Sequence, residues 1–178
     1  MPSRKTPPVR SCVAVIIVLV LCSWTVQAAD LLIAPGFTNN GEATLNISAR
    51  TPFKNRLYEG KSGHLSGYWT AGATWWEAAR HGRDRYSISA SPVFVWNFNA
   101  QGWQPFVEAG IGAAWFSSNL VSNRNLGSRL HFEDRFGVGM HLGARNTLVL
   151  RVIHYSNASL KKPNQGVNSW SLVWSHRF

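Results

Sequence analysis

The chain has little cysteine, little acid and, past its first 28 residues, no long apolar run. Its two cysteines are Cys12 and Cys22, so the body of the chain has no disulfide framework and must be stabilised another way. Its 8 Asp and Glu stand against 18 Lys and Arg, a formal net charge of +10. That excess suits contact with an anionic partner. No segment after residue 28 holds the roughly 20 consecutive apolar residues of a helical membrane span. The 6 histidines are scattered over separate segments. They lack the close spacing of a zinc cluster, so no metal or other cofactor is expected.

What is present begins with a segment that reads as a secretory signal. Arg4, Lys5 and Arg10 form a basic start, residues 11–22 an apolar run, and Val26-Gln27-Ala28 a small-residue cleavage site, with Ala29 one residue further as an alternative. A lipoprotein reading through Cys22 is disfavoured by Leu21, larger than the residue usually found before a lipidated cysteine. Residues 1–28 are expected to be removed, leaving 29–178 as one domain with a net charge of +7 once those three cations are gone. Export argues against nucleic acid. An anionic lipid surface, such as phosphorylated lipopolysaccharide, fits better, and 9 tryptophans, most near segment ends, suit a membrane interface.

The recurring pattern is alternation, the signature of membrane-spanning strands. Eight segments carry it: 31–37, 42–50, 64–78, 85–98, 103–116, 129–142, 147–156 and 168–178. Asn39-Asn40-Gly41 is a turn. Residues 51–63 and 117–128 read as longer loops. Pro92 predicts a bulge or bend in the fourth segment. The sixth segment alternates most clearly. Leu130, Phe132, Asp134, Phe136, Val138, Met140 and Leu142 lie on one face; Arg129, His131, Glu133, Arg135, Gly137, Gly139 and His141 lie on the other. The eighth sets Trp170, Leu172, Trp174, His176 and Phe178 against Ser169, Ser171, Val173, Ser175 and Arg177. An alternating last strand with a final aromatic resembles the assembly signal of bacterial outer-membrane barrels. The expected fold is all-β, an eight-stranded antiparallel transmembrane barrel that closes without an edge and is filled by its own side chains. His131, Glu133, Arg135 and Arg151 are expected to pair with one another inside.

One stretch carries chemistry. In Val152-Ile153-His154-Tyr155-Ser156-Asn157, the histidine and serine are two residues apart, so an extended strand projects both from one face. That sets a general base beside a potential nucleophile. Parity puts both on the apolar, lipid-facing side, at the end of strand seven away from the chain termini. A polar pair facing lipid is costly without a purpose. Asp134 and Asn168 share the parity and the height, and either could orient His154.

The run His154-Tyr155-Ser156-Asn157-Ala158, followed by Lys162-Pro163-Asn164 and Gly166, resembles the lipid A 3-O-deacylase family (PagL) of Gram-negative outer membranes. Gly67-Tyr68-Trp69, Phe132-Glu133-Asp134 and Phe178 add to the resemblance, which spans the whole chain after the signal. It implies hydrolysis of the acyl ester at position 3 of lipid A, with Ser156 as nucleophile and His154 as base. It implies an oxyanion hole from the N–H groups of Asn157 and Ser159, with Asn164 holding the loop. The family's acidic triad member aligns with Asn168, here an amide, which leaves Asp134 as the alternative acid. Arg80, Arg83, Arg124, Lys161 and Lys162 could bind lipid A phosphates, and a homodimer is compatible with the resemblance. The competing readings are a non-enzymatic structural or adhesive outer-membrane barrel, and an acyltransferase at the same site.

Overall fold

A computed structural model describes residues 29–79, 82–100 and 102–178. The signal segment 1–28 lies outside the described residues, as do Arg80, His81 and Gln101. Eleven strands follow: β1 (Asp30–Thr38), β2 (Ala43–Pro52), β3 (Tyr58–Gly60), β4 (Gly63–Trp76), β5 (Arg85–Phe98), β6 (Gln104–Phe116), β7 (Leu120–Val121), β8 (Arg124–Asn125), β9 (Leu130–Leu142), β10 (Asn146–Ser156) and β11 (Val167–His176). The eight long ones form a closed antiparallel barrel. It runs β2-β1-β11-β10-β9-β6-β5-β4, and pairing of β2 with β4 closes the ring. Closure leaves the barrel no unpaired edge to face lipid.

Alternation decides which side chains fill the barrel. On β9 the odd residues His131, Glu133 and Arg135 are buried and the even residues face outward; on β10 Arg151 points in and Leu150 out. The outer wall is apolar, with Ile47, Ile88, Ile111, Phe136, Leu150 and Leu172 all exposed. Aromatic belts mark both rims. Phe37, Tyr86, Trp115 and Trp170 lie at one; Phe98, Trp103, Trp174 and Phe178 lie at the rim that carries the chain ends.

The interior is plugged in three layers. Toward the chain ends Leu32, Val93, Phe106, Val149 and Val173 pack together. At the other end Trp76, Phe116 and Tyr155 meet edge-on or tilted, at centroid distances of 5.2–5.5 Å. Between them lies a band of ion pairs. Arg151 Nε donates to Glu108 Oε1 at 2.6 Å, and Tyr68 donates to Glu108 Oε2 at 2.7 Å. Arg135 Nε donates to Glu133 at 3.0 Å, beside Ser91 at 2.6 Å. The expected mutual pairing of His131, Glu133, Arg135 and Arg151 is met only by Glu133 with Arg135: Arg151 pairs with Glu108, and His131 Nε2 lies 2.8 Å from the Ser128 carbonyl. Arg151 reaches past β9 to Glu108 on β6, which brings an oppositely charged pair face to face in the middle of the barrel.

Two local expectations also change. Pro92 causes no bulge: Ala90 faces Ala113 and Val93 faces Gly110, so register is kept and only the β5–β6 ladder is interrupted between them. Pro35 interrupts the β1–β11 ladder in the same way. A proline lacks one donor, and a long ladder absorbs that loss without moving. The long loops also carry structure: β3 continues the sheet beside β4, and β7 and β8 form a small hairpin. The hairpin loop drives Val121 and Leu126, both at most 2% exposed, into the barrel mouth.

Candidate active site

Strand β10 delivers the histidine and the serine. Tyr155 between them points inward and is buried against Trp76 and Phe116. That anchor turns His154 and Ser156 outward, on one face, with Cα atoms about 6.6 Å apart at strand spacing. His154 stands between Asn168 on β11 and Asp134 on β9, opposite both in register. Its Nδ1 is 2.6 Å from Asn168 Oδ1. An amide oxygen only accepts, so Nδ1 carries the proton, and in the neutral ring that tautomer leaves Nε2 as the free base. Asp134 has no hydrogen-bond or ion-pair partner among the described residues. It lines an open groove of about 290 Å3 with Ile111, Phe132, Ser156 and Ala158. His154 and Ser156 make no hydrogen bond to each other here; catalytic pairs often close only around substrate.

Gly166 was not singled out by spacing, yet it bounds the imidazole. A Cβ there would lie 2.8 Å from His154 Cε1 and 3.3 Å from Nε2, and its φ is +58°. Both facts call for glycine.

The loop of residues 157–166 holds Ala158 and Ser159 at φ 50° and 63°. They are the two central residues of a tight turn that the Leu160 N–H closes on the Asn157 carbonyl at 2.9 Å. The N–H groups of Ala158 and Ser159 have no partner among the described residues. Asn157 is placed differently from its expected role. Its N–H donates to Asn164 Oδ1 at 3.2 Å, and its Nδ2 donates to the carbonyls of Leu126 and Lys161, each at 2.9 Å. Asn157 and Asn164 therefore shape the loop, and Ser159 keeps an open N–H.

The hairpin loop braces this one. Asn125 N–H donates to Gln165 Oε1 at 2.6 Å, and Arg124 Nη1 to the Gln165 carbonyl at 3.0 Å. Its far side is clamped by Glu42, whose carboxylate accepts from Thr38 and Ser122. Burial raises the Glu42 carboxyl, but those two hydrogen bonds and the Arg124 charge outweigh it and hold it below the usual carboxylate range. Arg83, Lys161 and Lys162 are exposed at this rim, and Arg80 lies outside the described residues. A second groove of about 400 Å3 adjoins the first across Phe132, with Leu130, Leu160, Arg129 and Lys161 in its lining.

A closed eight-stranded barrel with an apolar wall and aromatic belts is an outer-membrane barrel, and this one carries its histidine and serine on the wall. Comparison with known proteins agrees. The family model for lipid A 3-O-deacylase (PagL) matches residues 42–177. The chain belongs to that family. It is 43% identical over 148 residues to a lipid A deacylase PagL of Pseudomonas aeruginosa, covering 83% of this chain and 86% of that protein. It is 34% identical to a lipid A deacylase PagL of Bordetella bronchiseptica, covering 76% and 75%. A crystal structure of the outer membrane enzyme PagL superposes with a TM-score of 0.80 at 40% identity, covering 84% of this chain and 99% of that one.

Proposed function

We propose that this protein is an outer-membrane serine esterase that removes the 3-O-linked 3-hydroxyacyl chain of lipid A. The observation that carries the reading is the His154–Asn168 hydrogen bond on the lipid-facing wall, beside a groove that Ser156 lines, in a chain of this family.

In this reading His154 Nε2 takes the Ser156 proton as Oγ attacks the ester carbonyl. The carbonyl oxygen gains the negative charge, and the N–H groups of Ala158 and Ser159 donate hydrogen bonds to it. Collapse breaks the bond to the sugar oxygen, and His154 returns the proton to it. Water, deprotonated by His154, then releases the fatty acid. Asn168 holds the imidazole tautomer, and Asp134 supplies negative charge on the other side. Asn157 and Asn164 keep the loop in shape. The apolar grooves along Ile111, Phe132 and Leu130 suit an acyl chain, while Arg129 and Lys161 at their margin suit phosphate. The chemistry needs no cofactor.

Residues 1–28 are proposed to be cleaved on export, which N-terminal sequencing of the membrane protein checks. A homodimer is a proposal on which no residue of the site depends; cross-linking in the membrane tests it.

Mass spectrometry of lipid A from cells making this chain, beside cells making Ser156→Ala, tests the function. Loss of one 3-hydroxyacyl chain with the wild-type serine alone is expected. Unaltered lipid A in both, with the barrel folded and assayed again in detergent, would favour the structural reading instead.

A further inference from the structure

The mouth at the opposite, periplasmic rim holds a cavity of about 210 Å3 that plays no part in the ester chemistry. Four permanent cations line it, Arg50, Lys54, Arg56 and Arg177, against one lining carboxylate, Asp30. Elsewhere in the interior cations are matched: Arg135 has Glu133 and Arg151 has Glu108. At this mouth they are not. Asp30 is shared between Arg50 at 2.8 Å and Arg177 at 3.4 Å. Arg56 is paired with the exposed Glu59. Lys54 has no partner among the described residues.

Arg50 is the centre of the arrangement. Its side chain is only 10% exposed. Its Nε is spent on Asp30, and its guanidinium carbon lies 5.2 Å from the Tyr68 ring centroid. Its two Nη groups have no hydrogen-bond partner among the described residues and border the cavity. A guanidinium fork that no protein acceptor occupies, and that opens onto a cavity, is free to donate in pairs to an entering oxyanion. The floor is built to stay in place. Phe53 N–H donates to the Gly67 carbonyl at 2.8 Å and Leu57 N–H to the Leu65 carbonyl at 2.9 Å. The Phe53 ring fills the space over Gly67, where a Cβ would lie 2.4 Å from it. The segment pinned between those bonds presents Lys54 and Arg56 to the cavity.

We propose that this periplasmic mouth is an oxyanion-binding site, taking a phosphate or phosphomonoester group on Arg50 Nη, Lys54 and Arg177. The fork geometry and the surplus of positive charge select a compact, multiply charged oxyanion, and the cavity has room for a tetrahedral one with part of its hydration. Two sources share that chemistry: free inorganic phosphate, and the phosphomonoester headgroup of phosphatidic acid in the inner leaflet.

The test uses the folded protein in maltoside micelles. Phosphorus NMR line broadening is followed for inorganic phosphate and, separately, for a short-chain phosphatidic acid. Saturable binding of inorganic phosphate, weakened about tenfold or more in the double variant Lys54→Ala/Arg177→Ala, is expected. Saturable binding of the lipid phosphate alone, with the same weakening, assigns the site to a headgroup. Both variant positions are solvent-facing, so the barrel should fold, which its heat-sensitive gel mobility reports. No saturable binding of either probe overturns the proposal. So does binding that is unchanged in that variant and in Arg50→Gln.

Discussion

Replacing Asn168 by aspartate tests the candidate site most sharply. The two side chains have nearly the same shape, so Oδ1 stays where it accepts from His154 Nδ1 at 2.6 Å. Only the charge changes. A neutral imidazole gains little from that charge in the ground state. In the transition state it becomes an imidazolium, and the carboxylate then attracts a full positive charge. A hydrogen bond to a charged group contributes about 1.5–3 kcal/mol against about 1 kcal/mol for a neutral one, a difference of roughly 0.5–2 kcal/mol. Coulomb attraction at about 4 Å sets a ceiling near 4 kcal/mol at a surface-like effective dielectric of about 20. Desolvation of the new carboxylate offsets part of that. At tenfold per about 1.4 kcal/mol, kcat should rise roughly two- to thirtyfold, with KM little changed, because the gain is confined to the transition state. The assay is release of 3-hydroxy fatty acid from purified lipid A in mixed micelles. A folded Asn168→Asp barrel with unchanged or lower kcat would refute Asn168 as the group that orients the base. Asp134→Asn completes the cycle. If Asp134 already supplies the charge, its loss lowers kcat in the parent chain and matters less once Asn168 is aspartate.

Further outcomes are expected. Gly166→Ala should fold but lose most of its activity, because the methyl meets the imidazole edge and the backbone is held at φ +58°; parent-like kcat would remove Gly166 from the site. Glu108→Ala leaves Arg151 buried without its counter-charge, so urea unfolding from lipid vesicles should show a loss of about 3–5 kcal/mol; a loss under about 1 kcal/mol would mean that Tyr68 or water carries that charge. The Glu42 clamp should loosen in acid. Its carboxyl is held below its ordinary value, so its contribution is complete above the unfolded-state value and is lost as pH falls through the folded one. Amide protection factors in residues 117–129, taken against the intrinsic rate at each pH, should therefore fall on acidification in the parent and show no such step in Glu42→Gln.

Much of the barrel was legible in the sequence because lipid imposes a period of two. The alternation in β9, β10 and β11 put Asp134, His154, Ser156 and Asn168 on one face before any coordinates, and strand pairing alone brought their heights into line. Pairing across the interior was not legible. Arg151 and Glu108 sit on strands with β9 between them, and their meeting depends on the diameter and shear of the closed ring, which no local pattern encodes. The brace of residue 125 on residue 165 and the commitment of Asn157 to Leu126 are contacts between loops, where no periodicity exists to read. Gly166 shows its purpose only once the imidazole lies against it. Pro92 misled in the other direction: it removes a donor, yet a ladder closed on both sides keeps its register across the gap.

The outward placement of His154 and Ser156 has a kinetic consequence. A site on the wall of a barrel meets its substrate by lateral diffusion within one leaflet and never through bulk water. The concentration that sets its rate is then a mole fraction of the membrane surface. Diluting the substrate lipid with inert amphiphile should slow turnover at constant bulk concentration, whereas adding buffer at constant surface composition should leave it unchanged. The released fatty acid begins its life as a membrane component beside the enzyme, so its departure into the leaflet, rather than into solution, is the step that clears the groove.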